Sequence, residues 1–142
     1  MNGIKLLLQM LKDGQVLPKI DLPQQAEVLD QRDEDGFCSR WVQVFTEIEA
    51  KKSATQLSPE AEALVSQLRE ATYLKAFQKW KSSDLAACVS DDFGLVGDCL
   101  VLGVDDAWVN GLFRAYASGF VPAGRVSEVP DALVDQILRV TK

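Results

Sequence analysis

Asp98 is the residue best placed to do chemistry. It is the only charge between Phe93 and Val104, in the run FGLVGDCLVLGV, with Gly97 and Cys99 on either side. A carboxyl drawn into apolar surroundings resists ionisation, and groups perturbed in this way gather at functional sites. Asp98 would then be the polar group of a pocket between helices, serving a small ligand or an acid-catalysed reaction. Catalysis needs a second titratable partner, and the local sequence names none. The alternative sets Asp98 on a narrow solvent-facing strip or at the cap of a neighbouring helix.

Other chemistries are excluded outright. The chain has no histidine, which removes Ser-His-Asp triads, Cys-His pairs, HExxH zinc sites and Cys₂His₂ fingers from its own residues. Cys38, Cys88 and Cys99 are odd in number and show no CxxC spacing, so no zinc ribbon or redox pair is read. Cys88 and Cys99 sit among apolar neighbours and read as small buried hydrophobes, in a reducing, cytoplasmic setting. The stretch DQRDEDG, Asp30 to Gly36, invites a calcium reading. With Gly36 at position 6 of an EF-hand loop, however, position 1 is Gln31 and position 12 is Val42, and the ligand set fails. It reads as a charged turn. Gly94, Gly97 and Gly103 form neither GxGxxG nor a phosphate loop, and close helix packing accounts better for the first two. No metal or cofactor is expected.

Charge is the more useful clue. Residues 1–82 hold 12 acids and 11 bases, whereas residues 83–142 hold 9 acids and 4 bases. Nearly all of the net charge of −6 therefore sits in the last 60 residues. Asp91, Asp92, Asp105 and Asp106 are expected at exposed helix starts, where each favours the dipole by about 0.3–1 kcal/mol. The dipole explains their positions but not the scarcity of bases around them. A surface of one sign repels polyanions and steers a basic partner, so nucleic acid is not expected as a partner. Lys75, Lys79 and Lys81, interleaved with Phe77 and Trp80, read as a solvated helix end matched to the dipole.

The elements that must position these residues are helical. Ile4, Leu7, Leu8 and Leu11 share one face, and Gly14 follows as a stop. Pro23 opens a short helix through Leu29. Phe37, Trp41, Val44, Phe45 and Ile48 form a core-facing stripe that ends at Lys51-Lys52-Ser53. Ser58 and Pro59 begin the clearest helix, about 22 residues or roughly 33 Å long. Asp84 to Val89 is a short helix, and Ser90 caps a second one, apolar nearly all round and hence buried, over 91–102. A pair of buried strands is its competitor. Asp105-Asp106 starts another helix, with Val109, Leu112, Phe113 and Tyr116 inward and Gly119 at its close. Pro130 opens the last, with Leu133, Val134, Ile137 and Leu138 inward. The three tryptophans are expected in the core, and any exposed one would be an interface anchor.

These readings describe one all-α domain of six to eight helices over residues 1–142, soluble, with an acidic part at 83–142. A chain of this length buries roughly 70% of its unfolded surface without staples. The longest apolar run is 12 residues, short of the about 20 needed to span a bilayer. The functional expectation is a non-enzymatic protein–protein interaction module that docks on a basic protein partner through Asp91, Asp92, Asp105 and Asp106. Small acidic inhibitor or immunity-type proteins that mask basic toxins share this profile of size and charge. The alternative is a small-ligand-binding protein or enzyme built around Asp98.

Overall fold

A computed structural model describes residues 2–17, 20, 22 and 24–140. Seven helices occur among them: α1 (Asn2–Lys12), α2 (Gln25–Asp33), α3 (Asp35–Ala54), α4 (Pro59–Trp80), α5 (Ser83–Leu102), α6 (Ala107–Ala117) and α7 (Leu133–Val140). The described residues contain no strand. The segment 93–102 is therefore helix, as its lack of strand partners requires.

The sequence signals at α4 hold residue by residue. Ser58 Oγ accepts a hydrogen bond from the Ala61 backbone N–H at 3.1 Å, Pro59 occupies the first turn, and the helix runs 22 residues. It stops at Lys81, whose φ of 56° turns the chain left-handed. Ser82 then caps α5 by accepting from the Leu85 N–H. A link this short makes α4 and α5 an antiparallel hairpin, and α5 touches each of the other six helices. Its apolar circumference follows from that central position: Leu85, Val89, Phe93, Val96 and Cys99 are all buried. Gly97 brings the hairpin together, because a Cβ there would stand 3.1 Å from Leu68 Cδ2.

Several expectations are corrected. Residues 84–102 form one continuous helix rather than two, so Asp91 and Asp92 lie in its middle and not at a helix start. Ser90 caps nothing; its hydroxyl donates to the Arg69 carbonyl at 2.9 Å, a tertiary bond that local sequence cannot announce. The DQRDEDG stretch is not a turn. α2 continues to Asp33, breaks at Glu34 (ψ 148°) and gives way to α3 at once. α2 includes Arg32, which is buried. The expected start of this helix at Pro23 lies outside the described residues. Only Leu133 and Ile137 of the last stripe are buried, whereas Val134 and Leu138 are exposed, and α7 begins three residues after Pro130.

The loop between α6 and α7 is pinned to α6 by a backbone bond from Val129 N–H to the Ala107 carbonyl. The loop passes so close that an ideal Cβ on Gly111 would lie 1.9 Å from the Ser127 carbonyl oxygen. Alanine ordinarily gains about 1 kcal/mol over glycine inside a helix. Here backbone must move to admit it, so Gly111→Ala is expected to lower stability by about 1–3 kcal/mol. Chemical denaturation measures this directly, and a stabilised variant would contradict the close approach.

Candidate functional site

Two acids on α5 organise the molecule, and they do different things. Asp92 is 0% exposed. Arg32 grips it with two parallel bonds, from Nη1 to Oδ2 at 2.9 Å and from Nη2 to Oδ1 at 2.8 Å. Trp41 Nε1 donates to Oδ1 at 2.9 Å and the Tyr116 hydroxyl to Oδ2 at 2.6 Å. Arg32 also donates to the Pro122 carbonyl at 2.8 Å and lies over the Phe37 ring, 4.5 Å from its centroid. Each carboxylate oxygen thus accepts two bonds, and α2, α3, α5, α6 and the following loop meet at one charge. Burial works against the Arg32 charge, but the Asp92 carboxylate outweighs it, so the guanidinium holds its proton more firmly than usual. Burial, followed by the same carboxylate, raises the Tyr116 hydroxyl well above its ordinary value. A charge satisfied on all sides in this way is a structural lock. The expectation that Asp92 meets a partner from an exposed position is overturned: it has no surface to offer.

Asp98, six residues further along, is 6% exposed and lines a cleft of about 180 Å³ between α3, α4 and α5. Trp41, Phe45, Glu49 and Lys52 come to this cleft from α3, and Val65 and Arg69 from α4. Lys52 Nζ stands 3.4 Å from Asp98 Oδ2 and 3.3 Å from Glu49 Oε1. Asp98 Oδ1 is buried and has no hydrogen-bond partner. Arg69 lies across Gly94, where a Cβ would meet its Cδ at 3.1 Å, and reaches Asp91 Oδ1 at 2.7 Å. The Trp41 and Phe45 rings stack with centroids 5.3 Å apart. Phe45 remains 39% exposed and its neighbour Val42 51% exposed. The stripe expected to face the core thus turns an aromatic shelf outward at its edge.

Burial raises the Asp98 carboxyl above its ordinary value, and the Lys52 charge opposes this without cancelling it. The folded state therefore holds the Asp98 proton to higher pH than the unfolded chain does. That contribution to stability is present in acid and is lost as pH rises from the unfolded carboxylate value through the raised folded one. Asp98→Asn should remove the declining component, so the stability difference between wild type and variant shrinks or reverses across that window. Denaturation midpoints measured against pH test this, and a pH-independent difference would contradict it.

The remaining expected residues fall as follows. Asp91 is exposed in the middle of α5, on the rim of the Asp98 cleft. Asp106 is the N-cap of α6 and accepts from the Trp108 and Val109 N–H groups. Asp105 is exposed and accepts from Asn110 Nδ2 at 2.7 Å. Cys99 is buried, its thiol pushed up to about 12 mainly by burial. Cys88 is only half-buried and Cys38 exposed, which corrects the reading of Cys88. Trp80 and Trp108 are buried, whereas Trp41 is half-buried.

The sequence carries a further signal for this face. Asp84, Asp91 and Asp98 recur every seven residues, nearly two helical turns, and so follow one stripe of α5. The shelf of Trp41 and Phe45 could not have been recognised the same way, since its exposure depends on how far α4 and α5 cover α3.

Comparison with known proteins bears on this arrangement. A family model described as Immunity protein PIM1 matches residues 6–123, a span that contains the whole Asp92 lock and the whole Asp98 cleft. No curated protein matches the chain. With the family match covering most of its length, the chain belongs to the Immunity protein PIM1 family and is an immunity- or inhibitor-type module that acts by binding another protein.

Proposed function

We propose that the partner is a basic protein, the toxin that this immunity protein masks, and that it docks on the acidic face built from α5 and the start of α6. The observation that carries this reading is the exposed Phe45 ring beside a cleft whose three carboxylates, from Glu49, Asp91 and Asp98, outnumber its two cations, Lys52 and Arg69. Interfaces are commonly built in this way, with an aromatic anchor at the centre and charges around it. Asp105 and Asp106 extend the negative field beyond the end of α5. The cleft at Asp98 is smaller than the roughly 300 Å³ at which small-molecule sites begin, and its lining is charged. Both features suit a side chain of a protein better than a free ligand. Three cysteines without a disulfide fit a cytoplasmic site of action.

Affinity capture of the tagged protein, at low and at high salt with mass spectrometry of what co-elutes, tests the reading. It predicts one stoichiometric basic protein, held at low salt and shed at high. An acidic partner, or one that salt does not dislodge, would overturn it.

A further inference from the structure

The Asp98 cleft is short of one cation. Three carboxylates line it, from Glu49, Asp91 and Asp98, against two cations, Lys52 and Arg69. Both cations are weakly committed: Lys52 stands 3.4 Å from Asp98, long for a charge-assisted bond, and the pair of Arg69 with Asp91 is about half exposed on both sides. Exposed pairs of that kind contribute little and yield readily to a competitor. The Asp98 side chain is more than nine-tenths buried, yet its Oδ1 has no donor. A buried acceptor without a partner is costly to stability, and a partner that supplies the donor relieves that cost. Beside it stands the stacked pair Trp41 and Phe45, with Phe45 open to solvent.

We infer that this cleft is the seat of one arginine side chain of the partner, its guanidinium plane lying on the Phe45 ring and its N–H groups donating to Asp98. Arginine fits where lysine does not. Its planar fork stacks on aromatic faces, presents several donors in one plane and is more weakly hydrated than an ammonium. The Asp98 carboxyl turns about its soft terminal torsion to offer its free oxygen, and Glu49 on the rim accepts a second N–H. The inference rests on the docking reading above and adds the chemistry of its central contact.

The test uses the full chain with N-acetyl-arginine amide and N-acetyl-lysine amide as probes, followed by amide and indole NMR. The Trp41 indole N–H is a built-in reporter, because it is held on Asp92 in the cleft wall. The arginine amide should give saturable shifts at Trp41, Gly94 and Asp98, at several-fold lower concentration than the lysine amide. Asp98→Asn should abolish them and Phe45→Ala should weaken them several-fold, whereas Asp105→Asn with Asp106→Asn should leave them unchanged. Asp98→Asn removes a penalised charge and Phe45 is partly exposed, so both variants are expected to fold. Shifts that never saturate, that persist in Asp98→Asn or that do not distinguish the two amides would overturn the inference. Arginine seated in the cleft while capture returns an acidic partner would defeat the docking reading but not the seat. A basic, salt-sensitive partner with no arginine in the cleft would do the reverse.

Discussion

Asp92→Ala is expected to lower the unfolding free energy by about 3–5 kcal/mol, the cost of stranding a buried guanidinium. With a domain's total stability at about 5–15 kcal/mol, such a variant stands close to unfolded. The reason is the number of donors that lose their acceptor at once: two from Arg32, the Trp41 indole and the Tyr116 hydroxyl. Tyr116→Phe removes only one of the four and should cost about 1.5–3 kcal/mol, as for other hydrogen bonds to a charged group. Replacing both members of the ion pair with apolar residues, Arg32→Met with Asp92→Leu, should cost less than Asp92→Ala alone, because no charge is then left unpaired. Denaturant unfolding of the three variants checks the order. A mild Asp92→Ala would show that the lock is not what joins α2, α3, α5 and α6.

The largest expected effect on binding comes from Asp91→Asn, Asp105→Asn and Asp106→Asn together. Removing three negative charges, two exposed and one half-buried, should slow association with a basic partner by about tenfold or more at low ionic strength. The difference should fade as salt shortens the screening length to roughly 8 Å at physiological strength. The fold should survive: asparagine still caps α6 at position 106, and the exposed pair of Asp91 with Arg69 contributes at most about 1 kcal/mol. Asp92 is left out deliberately. Neutralising it with the other three would unfold the lock and imitate a loss of binding. Association rates across a salt series, with circular dichroism as the fold control, separate the two effects. An unchanged rate would remove electrostatic steering from the account.

Helices were legible where the signals for them are local. Ser58-Pro59 marks the start of α4 because capping is settled within four residues, and Gly14 and Gly119 turn the chain left-handed where the apolar stripes end. What escaped was set by partners far along the chain. Arg32 sits in a run of acids and looks solvated, but its counter-ion is 60 residues away. Asp92 follows a serine that resembles a cap, and its true position emerges only when α4 lies alongside and takes the Ser90 hydroxyl. Asp98 was legible only in part. A lone charge in an apolar run singles the residue out, but it fits a solvent-facing strip as well as a buried site, and its burial beside Lys52 emerges only once α3 and α4 pack on α5. Val134 and Leu138 fit the helical period, yet α7 is too short and peripheral for the fold to cover both edges of its stripe.

Hydrogen exchange of the protein, free and bound to its captured partner, tests the central claim most directly. Docking on the acidic face predicts new protection along Trp41–Lys52 of α3, Asp91–Asp98 of α5 and the first turn of α6, with the lysine-bearing end of α4 unchanged. Protection confined to the end of α4 or to α7, with the Asp98 cleft exchanging as in the free protein, would contradict it.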